Sequence, residues 1–291
     1  MTSKPLLIAK GHGLGNDYLV VDRNALPWPL TVERTRLICD RHRGLGSDGI
    51  LIGDVSARPI RLDILNPDGT MAEKSGNGLR IFAAWLHGRG RVRTGDWFDV
   101  QLVKDAVRMR VEAELAFGAV QVRVEIGTAS FLGRDAGFTP QPDLALGTLL
   151  DLPSGATAEV NPVSLSNPHC VVFVESLNRD DFLSRAPQLC THTAFPAGTN
   201  VQFARVAGPS AVELWIWERG AGETLASGSS ACAATAAAVR LGKLPHGTFE
   251  ARMPGGSVEV TVHTDFAIEL NGPAQMIYRA ELGEGFLELL A

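Results

Sequence analysis

The sequence predicts an α/β protein built as two related halves. Three observations carry that expectation: a succession of short alternating or β-branched strands, few helices between them, and two apolar helices entered through matching Ser-Gly steps. The expected strands include Leu6 to Ala9, Tyr18 to Val21, Arg61 to Leu65, Val107 to Val111, Val120 to Val124, Cys170 to Val174, Val212 to Trp217 and Val258 to Val262. Thr31 is placed to cap a helix over Val32 to Arg43, with Gly44 as its stop. The two central helices are expected at Gly76 to His87, ending at Gly88, and at Gly228 to Leu241, ending at Gly242. A weaker helix is expected over Asp180 to Leu189, against the break that Pro187 would introduce. A Gly- and Pro-containing stretch near Gly127 to Pro142 is the expected linker.

With 291 residues the chain is long enough for two domains with real cores. Hydrophobic residues are 45%, charged residues 20%, and the net charge of -5 gives no basic surface for nucleic acid and no attraction to anionic membranes. No segment approaches the roughly 20 apolar residues of a membrane span, and the N-terminus does not read as a secretory signal. Cys39, Cys170, Cys190 and Cys232 show neither CxxC pairing nor metal-ligand spacing, which predicts reduced thiols and a cytoplasmic protein without a metal.

Gly11, Gly13 and Gly15 form a GxGxG beside a strand, but strand rather than helix follows, so a tight β turn or a loop presenting Asn16 is expected in place of a dinucleotide loop. Asn66-Pro67-Asp68-Gly69 reads as a hairpin turn close enough to Ser75 for Asn66 to belong to the same site. Ser75-Gly76-Asn77-Gly78 and Ser227-Gly228-Ser229-Ser230 are small-residue entrances to helices. Exposed N–H groups and the helix dipole attract a carboxylate there, and glycine lets a ligand approach the backbone. One such start is ordinary N-capping; two matched starts in one chain point to a pair of carboxylate-holding ends. His169 in Asn167-Pro168-His169, Glu218-Arg219 and Asn200 complete the candidate set, each with a structural alternative as a core histidine, a surface pair or a turn residue. Arg89, Arg91 and Arg93 read as a solvated connection.

Together these stretches resemble the diaminopimelate epimerase family. The matching segments are GHGLGNDYLVVD from Gly11, DRHRGLGSDGILI from Asp40, NPDGTMAEKSGNGLRIF from Asn66, SNPHCVVF from Ser166, GTNVQF from Gly198 and ERGAGETLASGSSACAA from Glu218, in the family's order over nearly the whole chain. The resemblance implies two pseudo-symmetric domains, 1–127 plus 275–291 and 128–274, each a curved, mostly antiparallel sheet around a central helix. It also implies a homodimer, no cofactor, and epimerisation of an amino acid by one group that removes the α-proton and a second that delivers a proton from the opposite face. By motif position those groups are Ser75 and Ser227, assisted by His169 and Glu218. Asn16, Asn66, Asn77, Asn167, Asn200 and Arg219 match substrate-contacting positions, with the backbone turns at Gly76 and at Gly228-Ser229. Gly49 lies where some relatives carry a larger polar contact.

The family has cysteine at both proton-transfer positions, and this chain has serine at both. A thiol titrates near pH 8.5, lower still at a helix N-terminus, whereas a serine alkoxide is far costlier. Cys232, one turn into the second helix, reads as a small buried hydrophobe. Three readings stay open: serines introduced into a working epimerase, a natural branch running a slower or different proton transfer such as dehydration or isomerisation of a small acid, and a binding homologue. Lys74 and Ser230 also depart from the commonest family pattern, which favours a natural branch.

Overall fold

The computed structural model describes residues 5–141 and 143–291. The chain forms two compact units, one comprising the residues to Val124 with Gly272–Ala291, the other Glu125–Asn271.

The first unit contains β1 (Leu7–Gly13), β2 (Asn16–Asp22), α1 (Val32–Cys39), β3 (Ile50–Asp54), β4 (Ile60–Leu65), β5 (Met71–Ala72), α2 (Gly76–Gly88), β6 (Trp97–Gln101), β7 (Ala106–Glu114) and the start of β8 (Ala119–Thr128). The second contains β9 (Thr148–Asp151), β10 (Thr157–Ser164), β11 (Pro168–Phe173), α3 (Arg179–Cys190), β12 (Asn200–Val206), β13 (Ala211–Glu218), β14 (Gly222–Thr224), α4 (Gly228–Arg240), β15 (Gly247–Met253), β16 (Gly256–Val262) and the start of β17 (Ala267–Glu281), whose later residues pair with β1 in the first unit. A last helix, α5 (Glu284–Leu290), follows in the first unit.

Internally the two units repeat one another. In the first, β1–β2 is antiparallel, β2–β3 parallel, β3–β4 and β4–β5 antiparallel, β4–β6 parallel, and β6–β7 and β7–β8 antiparallel. In the second, the same series runs through β10–β11, β11–β12, β12–β13, β13–β14, β13–β15, β15–β16 and β16–β17. Each unit is a curved, mostly antiparallel sheet around a central helix, as the family resemblance implies.

The central helices are made mostly of apolar or small residues, with Asn77 and Arg80 of α2 as buried exceptions. Gly76 to Leu86 of α2 and nearly all of Gly228 to Val239 of α4 are buried, the pattern of a helix enclosed on all faces. Both end alike. Gly90 and Gly242 take left-handed φ of 65° and 69°. Gly90 N–H donates to His87 O and Arg91 N–H to Leu86 O, just as Gly242 N–H donates to Val239 O and Lys243 N–H to Ala238 O. These paired bonds satisfy the last carbonyls of each helix. The expected stop at Gly88 is thus corrected: Gly88 is still helical, and the glycine two residues on does the work.

α1 starts where expected, with Thr31 Oγ1 accepting from Arg34 N–H, but it ends at Cys39 rather than Arg43. Asp40 leaves the helical conformation and accepts from the His42 and Arg43 amides, which opens a separate turn. Gly44 closes that turn where a Cβ would lie 2.0 Å from Leu37 O. The expected linker is also corrected. Ala129, Phe131, Ala136 and Phe138 are buried in the second unit, so apolar burial overrides the Gly/Pro content there; Pro142 lies outside the described residues. Pro187 sits inside α3, near its end. Among the described residues no helix is long and apolar enough to cross a membrane.

Candidate active-site residues in each unit

In the first unit, GxGxG folds as the expected tight turn. Gly13 pairs with Asn16 across a two-residue loop in which Leu14 and Gly15 have φ of 56° and 92°. Positive φ at both central positions matches the right-handed twist of the flanking strands. The turn places Asn16 at the start of β2, where its Nδ2 donates to Asp48 Oδ2 at 2.8 Å and its Oδ1 accepts from Asn77 Nδ2 at 3.0 Å. Asn77 Oδ1 in turn accepts from Arg80 Nη2 at 2.8 Å. Arg80 is wholly buried, and it also donates to Gly76 O and Pro273 O. Asn16 and Asn77 are therefore oriented as a pair, from a carboxylate at one end to a guanidinium at the other. Asp48 is itself set by Arg41 at 2.7 Å and the Asp17 amide at 3.1 Å. Burial raises the Asp48 carboxyl; burial also pushes Asp17 up, but bonds from Arg41 and Lys10 outweigh that and hold it below the usual range.

Ser75 is the N-cap of α2, with extended backbone (φ −140°) and Oγ accepting from Gly78 N–H at 3.0 Å. Just upstream, Lys74 is ion-paired to Asp105 at 2.7 Å, and Glu73 to Lys104. Asn66 forms the β4–β5 turn, its Nδ2 donating to Thr70 Oγ1 at 3.0 Å. Gly49 has no space for the larger contact expected of some relatives: a Cβ would lie 2.4 Å from Leu65 O and 2.7 Å from the Tyr18 ring. A cleft of about 260 Å³ in this unit, lined by Asp22, Trp85, Arg89 and Arg279 among others, contains none of these residues. Arg89 stacks over Trp85, which accounts for one member of the arginine loop.

In the second unit, the turn before β11 holds Ser166 at φ 72°, an uncommon conformation for a residue with a side chain. It delivers Asn167 and His169. His169 Nε2 lies 3.0 Å from Asn167 Oδ1, and its Nδ1 lies 3.1 Å from Gln202 Nε2, which also donates to Ser230 Oγ at 2.9 Å. His169 is fully buried, and burial, with the positive charge of Arg219 adding, drops its pKa to about 3. The ring is neutral at pH 7 and both its nitrogens are engaged. Asn200 pairs with His169 in the parallel β11–β12 ladder, donates to Pro168 O and accepts the Arg219 amide at 2.9 Å. Arg219 Nη1 reaches Ala197 O at 3.0 Å, and Glu218 ends β13.

Ser227 caps α4 with nearly the backbone of Ser75 (φ −143°), yet its side chain makes no cap bond. At the position that matches Gly78 the second unit has Ser230, whose Oγ accepts from Gln202 Nε2 at 2.9 Å. The amides of Gly228, Ser229 and Ser230, which open the helix, have no intrahelical acceptor. The Ser227 amide contacts Met253 Sδ at 3.4 Å. Cys232 is buried inside α4, as expected, and Cys39, Cys170 and Cys190 are likewise buried outside any disulfide, with burial raising their thiol pKa values.

The residues that sequence reasoning missed are Asp48, Arg80 and Gln202. Asp48 and Gln202 lie within quoted motifs, and Gln202 is two residues past Asn200, on the same face of a strand by simple alternation. Arg80 stands in the largely apolar run Leu79–Leu86 of α2, a signal that a buried polar partner had to exist.

Two topologically matched α/β units, each built on an enclosed helix, define an architecture that this chain shares with proteins of known structure. A hydroxyproline epimerase from Agrobacterium vitis superposes with a TM-score of 0.66 at 15% identity, over 97% of this chain and 92% of that one. A PhzF-family phenazine biosynthesis protein from Bacillus anthracis does so with a TM-score of 0.67 at 14% identity, over 96% and 99%. The family model described as diaminopimelate epimerase matches residues 8–132 and 162–277. Diaminopimelate epimerase 2 of Nostoc sp. is 38% identical over 94% of both chains, and the diaminopimelate epimerase of Pelotomaculum thermopropionicum is 35% identical over 94% of this chain and 97% of its own. The chain belongs to the diaminopimelate epimerase family.

Proposed function

We propose that the chain is a cofactor-independent amino-acid epimerase acting on diaminopimelate, LL to meso, in lysine or cell-wall synthesis. The observation that carries this reading is the matched pair of Ser-Gly helix starts at corresponding positions of two matched units, in a chain whose relatives are named for this reaction. An N-terminal helix turn with unbonded amides stabilises a carboxylate and the extra charge it gains when the α-proton leaves.

In this reading Ser75 and Ser227 are the proton-transfer positions. Asn16, Asn66, Asn77, Asn167, Asn200 and Arg219 hold the substrate, with the backbone at Gly76, Gly228 and Ser229. The engaged nitrogens of His169 make it a neutral hydrogen-bonding residue, so the Glu218 carboxylate is the remaining assigned group to take a proton from Ser227. A hydroxyl is a poor base at neutral pH, and the reaction is correspondingly slow. The homodimer and the cytoplasmic setting belong to the same proposal; four buried, unbridged cysteines support a reducing compartment.

Incubation with LL-diaminopimelate in deuterated water, followed by proton NMR, tests the reading. Loss of the α-proton signal is expected, and no exchange with any amino acid removes it. Binding by calorimetry without exchange would mark a binding homologue, and water loss from a β-hydroxy amino acid a dehydratase.

A further inference from the structure

Gln202 is fully buried in β12 and belongs to no assigned site position. Its amide nitrogen has two protons and two acceptors, His169 Nδ1 at 3.1 Å and Ser230 Oγ at 2.9 Å, while its Oε1 is buried without a partner. The opposite amide orientation would leave two buried donor protons unsatisfied instead of one acceptor. Orphaned donors are the rarer and costlier defect, so the donating orientation is the stable one. Once Nδ1 accepts, the single proton of a neutral imidazole must sit on Nε2, where Asn167 Oδ1 lies 3.0 Å away. Asn167 Oδ1 is thereby occupied, and its Nδ2 has no partner among the described residues.

We propose that Gln202, anchored by Ser230, is a positioning residue that locks His169 in the Nε2–H tautomer and so leaves the NH2 group of Asn167 as its uncommitted end. Asn167 then offers donors, and the substrate group it takes is an acceptor such as a carboxylate oxygen rather than an ammonium. The identity of that group rests on the proposed function; the tautomer does not.

Histidine-selective 15N labelling of the whole chain tests this. The His169 ring, one of seven, is assigned as the pair of signals lost in His169→Asn. The expected spectrum has an unprotonated Nδ1 and a protonated Nε2, unchanged from pH 8 to pH 5. An Nδ1–H tautomer or an imidazolium in that range overturns the proposal. Gln202→Glu replaces the donor by an acceptor and is expected to bring a proton onto Nδ1 and to raise KM about tenfold, a loss of one good polar contact, with a smaller change in kcat. A Gln202→Glu spectrum identical to the parent's also overturns it. The predicted spectra together with no α-proton exchange would count against the epimerase reading alone.

Discussion

The Gly78 amide donates to Ser75 Oγ at 3.0 Å, and the equivalent bond from the helix start to Ser227 is missing although the two serines share their backbone conformation. One hydroxyl is spent on holding its helix; the other is not. Ser75→Ala is therefore expected to cost about 1 kcal/mol of stability, the usual loss of a serine N-cap, and Ser227→Ala only a few tenths. Urea denaturation of the two variants checks the difference, and equal losses would contradict it.

His169 makes a prediction in pH. Its folded pKa of about 3 lies below the ordinary imidazole value of 6.5, so the unfolded chain binds the proton more readily. Its contribution is complete above pH 6.5 and is lost as pH falls from there toward 3, by up to about 1.4 kcal/mol per pH unit. Between pH 7 and pH 5 the chain is expected to lose about 2 kcal/mol more than a His169→Asn variant does. Parallel denaturation curves for the two at both pH values would refute the buried neutral ring.

Gly49→Ala places a methyl group against Leu65 O and the Tyr18 ring, with separations of 2.4 and 2.7 Å before relaxation. Overpacking of this kind costs about 1–3 kcal/mol. A lowered Tm is the expected readout, and a variant as stable as the parent would mean that the pocket there has room for a polar selector after all.

Much of this molecule is legible in its sequence because its signals are local. Alternation located the strands, and Ser-Gly before an apolar run located both central helices. What was not legible depends on backbone bonds, burial and side-chain partners that residue type and order do not display. Gly88 looked like a stop because only the backbone bonds at Gly90 and Arg91 reveal the real end of α2. The stretch after Gly127 looked like a linker because its glycines are visible in sequence, whereas the burial of Phe131 and Phe138 is not. In the site, residue types gave the serines and asparagines. The direction in which the side chains of Asn16, Asn77 and His169 point is set by Asp48, Arg80 and Gln202, which reach them from the loop before β3, from the next turn of α2 and from β12.

The central claim is that Ser75 and Ser227 stand where proton transfer at an amino-acid α-carbon takes place. The most direct measurement is α-proton exchange with LL-diaminopimelate in deuterated water by the Ser75→Cys, Ser227→Cys double variant beside the parent chain. Thiols with accessible thiolates are expected to raise the exchange rate by about 10²–10⁴. A correctly folded double variant that exchanges no faster than the parent would contradict the claim.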